Sequence, residues 1–264
     1  MTDNPDRSAV PRPPRESYGN CPSRHSEVSL SFEEECLQRN GFAVLDFGLR
    51  SLAERCRQAL GDEDVEVGSD GVVRAPFRLK NEIWRELGSN AELLSFVSRI
   101  LQTRFCLLQQ NVITVHARAS SSQTRWHRDL PYQTFTTSRA FALNALFVID
   151  EFSCENGATW ILPGSHKFET FPGDRFVDSN AVQIEASVGS FLVMDGLVFH
   201  SAGVNRSDTP RRAVNHVFGP PLLRSQVEVE LPVVNPEFEE LLGVEFFAAR
   251  ATARWLGRDN DDRG

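Results

Sequence analysis

The chain has 264 residues, of which 41% are hydrophobic and 24% charged, a composition typical of a folded globular protein. Its 28 basic and 36 acidic residues give a net charge of −8, which disfavours a general nucleic-acid-binding protein because such proteins carry a basic excess. The sequence contains no run of 18 apolar residues, so it predicts no membrane span, and its five scattered cysteines favour a reducing cytoplasm over a disulfide framework.

Two regions of different character are predicted along the chain. Residues 1–27 combine several prolines with polar and charged residues and show no periodicity, so we predict a disordered or loosely docked tail. Residues 28–264 are predicted to form a single domain, since an all-β domain of this length is common.

The first part of this domain is predicted to be mostly helical. One helix is capped by Ser31, carries acidic residues in its first turn and ends at Gly41. Apolar residues recur at intervals of three to four residues in the helices that follow. The other predicted elements of this part are a strand over 42–47, helices over 52–60 and 91–101, and a loop over 61–72.

From residue 105 onward, short apolar segments alternate with turn signals, a pattern typical of a β-sandwich or barrel. A helix is predicted near the C-terminus, from Glu237 to Leu256. The predicted strands cover residues 105–108, 112–116, 141–149, 159–162, 182–186, 189–194 and 213–218.

His127 and Asp129 form a His-x-Asp pair. Residues i and i+2 of a strand face the same side, so one short segment can direct an imidazole and a carboxylate at the same point. A second histidine from elsewhere would complete two histidines and one carboxylate, the ligand set of non-haem Fe(II) oxygenases. The pair alone is a weak signal, because most such histidines bind no metal.

The third ligand has to come from another histidine. His200 follows a predicted strand and adjoins small residues that leave room beside a metal, whereas His216 lies within a strand where packing is the better interpretation. His25 lies in the predicted tail and His166 in a turn. Arg211 follows His200 across a turn-rich segment, and an arginine that returns beside His200 can hold a carboxylate through two hydrogen bonds.

The block from Trp126 to Phe218 resembles the phytanoyl-CoA dioxygenase family of Fe(II)/2-oxoglutarate-dependent oxygenases. The order and spacing of its motifs agree with the family over roughly a third of the chain. The motifs are His127-x-Asp129, Asp150-x-x-x-x-Glu155-Asn156-Gly157-Ala158, Leu162-Pro163-Gly164-Ser165-His166-Lys167, Gly189-Ser190-Phe191, His200, and Asn205-x-Ser207-x-x-Pro210-Arg211-Arg212.

The resemblance implies a mainly β fold with flanking helices, a double-stranded β-helix or cupin-like jelly-roll. It implies that His127, Asp129 and His200 are the iron ligands and the catalytic residues. It places Arg211 on the residue that binds the far carboxylate of 2-oxoglutarate, and strand alternation turns the neighbouring Arg212 to the opposite side.

The implied cofactors are Fe(II), the cosubstrate 2-oxoglutarate and O2. The implied reaction hydroxylates an unactivated C–H bond of a small molecule while 2-oxoglutarate is decarboxylated to succinate and CO2. The carboxylate of Asp129 favours hydroxylation over halogenation, whereas desaturation, cyclisation and epoxidation remain open because they use the same oxidant.

Further residues are candidates for contacts in the pocket. Asn144 and Thr134 are candidate contacts to 2-oxoglutarate, with a local polar partner as an equal interpretation for each. Gln110 is a candidate for the substrate pocket, which it could face from the strand before His127, with an ordinary strand-end residue as the alternative.

The segment after the His-x-Asp pair mixes aromatic, apolar and amide groups and is expected to line the open end of the jelly-roll. Arg128 and Gln133 are our candidate substrate contacts here, and Arg125 and Arg139 lie close by in the sequence. These arginines favour an anionic small-molecule substrate, and no extended basic path for the phosphates of coenzyme A is apparent.

Two other classes of function remain open. One is a non-catalytic jelly-roll binding protein, against which the retention of three ligands and Arg211 argues. The other is a cupin-type dioxygenase that binds no 2-oxoglutarate, which the substitution Arg211→Ala would distinguish. The sequence leaves open the identity of the substrate and the oligomeric state.

Overall fold

The computed structural model describes residues 31–62, 72–74, 81–118, 122–130 and 135–223. These residues form five α-helices, nine strands and two short 3₁₀ turns. The helices are α1 (Phe32–Asn40), α2 (Arg50–Asp62), α3 (Ile83–Gly88), α4 (Ala91–Leu101) and α5 (Asp174–Asn180). The strands are β1 (Phe42–Asp46), β2 (Val72–Arg74), β3 (Cys106–Val115), β4 (Leu143–Val148), β5 (Trp160–Ile161), β6 (Val182–Gln183), β7 (Ser190–Asp195), β8 (His200–Ser201) and β9 (Arg211–Gly219).

Two antiparallel sheets organise these strands. The larger sheet has the strand order β1-β7-β4-β9-β3-β2, and the smaller has the order β6-β5-β8. Most neighbours in these sheets are far apart in the sequence, as the crossing connections of a jelly-roll require. The predicted fold, mainly β with flanking helices and a double-stranded β-helix at its centre, is confirmed.

The larger sheet buries both of its faces. Ala145 and Phe147 of β4 join a core formed with helices α2, α3 and α4, whereas Leu146 and Val148 join a second core with Ile161 of the smaller sheet. Alternation along the strand therefore separates a helix-facing side from an inner side between the sheets. The inner side contains the pocket described below.

Local interactions fix both ends of α1, the helix that precedes β1. The Ser31 side chain accepts from the backbone N–H of Glu34, and the Glu34 side chain accepts from the backbone N–H of Ser31, which completes a capping box. Gly41 ends the helix with a φ of 83°, and a Cβ on it would lie 2.6 Å from Nδ1 of His166. Glycine is therefore needed here for both conformation and space.

The structure differs from the predicted elements mainly where strands carry polar residues. The segments predicted over 105–108 and 112–116 are one strand, β3, whose register with β9 shifts between Leu107 and Gln109. Its polar middle stays in the sheet because β9 pairs along its whole length. The short elements α3, α5 and β2 were not predicted, and α2 extends to Asp62 where a loop was expected.

The predicted tail over residues 1–27 and the predicted helix from Glu237 to Leu256 lie outside the described residues. Within the described residues, no helix has both the length and the apolar character needed to cross a membrane.

Candidate metal centre and its pocket

A pair of backbone hydrogen bonds joins the His-x-Asp segment to β8. His127 N donates to His200 O at 2.9 Å, and His200 N donates to His127 O at 3.0 Å. The two histidines are therefore directly opposite each other, and the centroids of their imidazole rings are 4.4 Å apart. The backbone thus brings together two ligand candidates that are distant in the sequence.

Each of these imidazoles uses one nitrogen to hold its orientation. Nδ1 of His127 lies 2.7 Å from the carbonyl oxygen of Arg125, and Nδ1 of His200 lies 3.1 Å from that of Val198. Because a carbonyl oxygen only accepts, Nδ1 is the protonated nitrogen in both rings and Nε2 keeps its lone pair. Burial lowers the pKa of His200, against the opposing effect of Asp129, and this favours the neutral form that binds metals.

Asp129 completes the group. Its Oδ1 lies 3.8 Å from Nε2 of His200, and its Oδ2 accepts a hydrogen bond from Nδ2 of Asn144. One potential ligand atom from each of His127, Asp129 and His200 lies within 4.8 Å of the others. Because Asn144 donates to Oδ2, Oδ1 is the oxygen of Asp129 that is left for a metal. Two neutral imidazoles and one carboxylate fit a six-coordinate Fe(II) that keeps three positions open.

The three side chains line a pocket of about 460 Å³, part of which is open to solvent. The pocket lies on the inner face of the larger sheet and combines apolar side chains with neutral polar and charged ones. Its other described lining residues are Ile113, Gln123, Asn144, Leu146, Thr159, Ala202, Arg211, Ala213 and Asn215.

Arg211 contributes a buried cation to this pocket. The residue is 4% exposed, its Cζ lies 4.3 Å from the ring centroid of Phe152, and its Nε has no hydrogen-bond partner within the described residues. Burial lowers the pKa of Arg211 to about 10, although the charge of Asp150 opposes this shift. The guanidinium thus remains charged at neutral pH, and a buried charge of this kind fits a ligand carboxylate.

Arg212 has a different environment from its neighbour. Its Nε lies 2.7 Å from Oδ2 of Asp150, on the opposite side of β9 from the pocket. Of the two adjacent arginines, the structure therefore brings Arg211 to the pocket, as the alternation of the strand predicts.

Asn144 lines the pocket, as expected, but its Nδ2 is committed to Asp129. Its contact in the described structure is thus with a candidate metal ligand, and the contact of Asn144 with 2-oxoglutarate stays a prediction.

The structure does not bring Gln110 or Arg128 to the described pocket lining. Nε2 of Gln110 donates to the carbonyl oxygen of Trp84 at 2.8 Å and lies 3.0 Å from Nε2 of His216, on the helix-facing side of the sheet. The Arg128 guanidinium lies 4.0 Å from the ring centroid of Phe199 and donates to backbone carbonyls of residues 165, 168 and 169. Both side chains therefore have partners in the protein. Gln133 and Thr134 lie outside the described residues.

Several lining residues were not predicted, and Asn215 is the most informative of them. It shares a face of β9 with Arg211 and Ala213, since every second residue of a strand points the same way. The alternation that separates Arg211 from Arg212 was therefore sufficient to place Asn215 in the pocket. Thr159 and Gln123 belong to short or irregular segments and offered no comparable signal.

Comparison with known proteins shows the family to which this chain is similar. The family model for phytanoyl-CoA dioxygenase matches residues 33–213. The uncharacterized protein Rv1501 of Mycobacterium tuberculosis is 28% identical over 207 residues, which cover 76% of this chain and 75% of that protein. Dioxygenase af480 of Aspergillus fumigatus is 28% identical over 177 residues, which cover 61% of this chain and 55% of that dioxygenase.

The fold is also similar to that of solved structures. The epimerase SnoN from nogalamycin biosynthesis, solved in complex with Fe3+, α-ketoglutarate and nogalamycin RO, aligns with a TM-score of 0.59 at 19% sequence identity. The alignment covers 77% of this chain and 91% of SnoN.

Proposed function

This chain belongs to the phytanoyl-CoA dioxygenase family, and on that premise we propose that it is an Fe(II)- and 2-oxoglutarate-dependent oxygenase that hydroxylates a small molecule. The observation that carries the proposal is the arrangement of one pocket, which is lined by His127, Asp129, His200 and the buried Arg211, whose Nε has no hydrogen-bond partner within the described residues. A metal-binding group and a carboxylate-binding cation in the same pocket match the two ends of a chelating 2-oxoacid. We assign this activity to a single domain over residues 28–264.

Nε2 of His127, Nε2 of His200 and Oδ1 of Asp129 would hold the iron. The two backbone carbonyls that accept from Nδ1 keep the imidazole nitrogens directed at the metal, and Asn144 keeps Asp129 oriented. When bound, Fe(II) with 2-oxoglutarate supplies the oxidising chemistry, in which O2 is consumed, succinate and CO2 are released, and a substrate C–H bond is oxidised.

Arg211 would bind the far carboxylate of 2-oxoglutarate through paired hydrogen bonds. Because the guanidinium is buried, this ion pair is stronger than one at the surface would be, and it fixes how the 2-oxoacid approaches the metal. Ile113, Leu146 and Ala213 form apolar parts of the wall and help to exclude water from the reacting groups.

Hydroxylation is the outcome that we propose, and the product identifies it. With O2 of a heavy isotope, a hydroxylated product gains one labelled oxygen atom. Loss of two hydrogens without a gain of oxygen would instead indicate desaturation or cyclisation. The proposed location is the cytoplasm, because the five cysteines are scattered along the sequence and do not form the pattern of a disulfide framework.

Anaerobic titration of the metal-free protein with Fe(II) and 2-oxoglutarate tests the cofactor assignment. We expect a weak visible metal-to-ligand charge-transfer band in the wild type and no band in Asp129→Ala. Arg211→Ala should raise the Kd for 2-oxoglutarate by about 100-fold, since losing a buried charge pair costs about 2–5 kcal/mol.

Arg212→Ala is the matched control, because Arg212 pairs with Asp150 outside the pocket and should leave the Kd for 2-oxoglutarate unchanged. A folded protein that binds metal but shows no band would refute the proposal. That result would favour a cupin-type dioxygenase without 2-oxoglutarate or a jelly-roll binding protein.

A further inference from the structure

The charges of the pocket limit which substrates it can bind. Arg211 is the only cationic side chain in the described pocket lining, and the proposed function assigns it to 2-oxoglutarate. Arg128, which the sequence analysis gives as a candidate substrate contact, instead donates to backbone carbonyls and stacks on Phe199. The described pocket therefore provides no cation for an anionic substrate.

Asn144 presents a buried acceptor in this pocket. Its Nδ2 donates to Asp129, and because a carboxylate only accepts, this contact fixes which end of the amide is oxygen. Oδ1 of Asn144 is buried and has no hydrogen-bond partner within the described part of the chain.

Asn215 presents a second buried hydrogen-bond acceptor in the pocket. The residue is 5% exposed, lines the pocket, and has a buried Oδ1 to which none of the described residues donates. It lies four residues beyond Arg211 on the same face of β9, about 13 Å along the strand. Asn215 therefore lies well away from the point at which Arg211 would hold 2-oxoglutarate.

The two asparagines are neighbours across the sheet. Asn144 is opposite Val217 and Leu146 is opposite Asn215 in the β4–β9 register, so the asparagines are diagonal neighbours, which lie about 7–8 Å apart with their Cβ atoms somewhat closer. Folded proteins leave few buried polar atoms without a partner. Of the seven such side-chain atoms in the described residues, the two asparagine oxygens are the acceptors that belong to the lining of this pocket, where a ligand can supply the donors.

We propose that Asn144 and Asn215 accept hydrogen bonds from an uncharged substrate that carries an alcohol or a carboxamide group. The proposal rests on the proposed function, because it assigns Arg211 to 2-oxoglutarate. A carboxylate has no donor for these oxygens and would bring its charge towards Asp129. The apolar side chains of Ile113 and Leu146 then contact the hydrocarbon part of the substrate.

Matched small probes test this substrate class. Cyclohexanol, cyclohexanecarboxamide and cyclohexanecarboxylate are compared by saturation-transfer NMR on protein loaded with Zn(II) and 2-oxoglutarate. We expect the alcohol and the amide to bind wild-type protein at least about fivefold more tightly than the carboxylate, as the loss of one hydrogen bond implies.

Asn215→Leu and Asn215→Ala should each raise the Kd for the two uncharged probes about five- to tenfold. Asn180→Leu is the matched control, since it makes the same change at an exposed helix end and should leave the Kd values at their wild-type level. Two variants at Asn215 are used so that a folding defect in one does not decide the result.

Equal or tighter binding of the carboxylate would overturn the inference, as would unchanged binding of the uncharged probes in both Asn215 variants or no binding of these probes to the wild type. The charge-transfer band of the same wild-type preparation with Fe(II) and 2-oxoglutarate reports on the proposed function separately. A band together with a preference for the carboxylate would overturn only the substrate class, whereas absence of the band would overturn the proposed function.

Discussion

Replacement of Asn144 by leucine tests how much the candidate metal centre depends on a residue that is not itself a ligand. Leucine has nearly the shape of asparagine, so β4 should keep its packing, and the change removes the hydrogen bond from Nδ2 to Oδ2 of Asp129. Without this bond the Asp129 carboxylate can rotate, and both of its oxygens compete for the metal position.

The expected size of the effect follows from the type of bond that is lost. A hydrogen bond to a charged group contributes about 1.5–3 kcal/mol, and each 1.4 kcal/mol changes an equilibrium constant about tenfold. We therefore expect Asn144→Leu to weaken metal binding by about 10- to 100-fold, in the range that is typical when a partner of a metal ligand is removed.

Anaerobic titration of the metal-free protein with Co(II), followed by visible absorption, measures this affinity directly. Asn180→Leu serves as the control at an exposed position, and thermal unfolding shows whether each variant is folded. A folded Asn144→Leu protein whose Kd for Co(II) lies within twofold of wild type would refute the argument that Asn144 orients Asp129.

Three further predictions concern stability, measured by urea unfolding of the metal-free protein. Burial raises the pKa of Asp195 from 3.8 to about 6, so its contribution to stability is lost as pH rises from about 4 to 6, and Asp195→Asn should remove this slope. An unchanged slope in the variant would contradict the assignment. Burial lowers the pKa of His216 from 6.5 to about 4, so up to roughly 3 kcal/mol of stability should be lost as pH falls through that window. If His216→Gln shows the same acid dependence as wild type, another group is responsible. Gly41→Ala should lower the free energy of unfolding by about 2–3 kcal/mol, because it adds a close contact with His166 to the strain of a positive φ. Gly48→Ala, which has a positive φ but open space around it, should cost only about 1 kcal/mol, and equal losses at both sites would exclude the contact as the cause.

Local signals in the sequence were sufficient for the elements that define the fold. The capping residue Ser31, the terminating Gly41 and the apolar period of α4 predicted helix boundaries that the structure reproduces to within one residue. The middle of β3 was not predicted, because its polar residues are held in the sheet by pairing with β9, which is a contact distant in sequence.

The candidate site shows the same division. His127 and Asp129 could be recognised as a pair by their spacing, and alternation favoured Arg211 over Arg212. The environments of Arg128 and Gln110 could not be read in this way, since their partners, Phe199 and Trp84, come from distant parts of the chain. A side chain's chemical type indicates what it can bind, whereas its neighbours in space determine whether it is free to do so.

The register of β9 also restricts how genes for this protein can change in length. Arg211 and Asn215 face the pocket while Arg212 faces Asp150, so inserting or deleting one codon between positions 211 and 215 would turn part of the strand over. A pocket cation or a pocket amide would then be directed at the wrong face, and both the ion pair and the pocket would be lost. Length variation should therefore be confined to the connections between strands, where an indel can reshape the pocket entrance without disturbing the groups inside it.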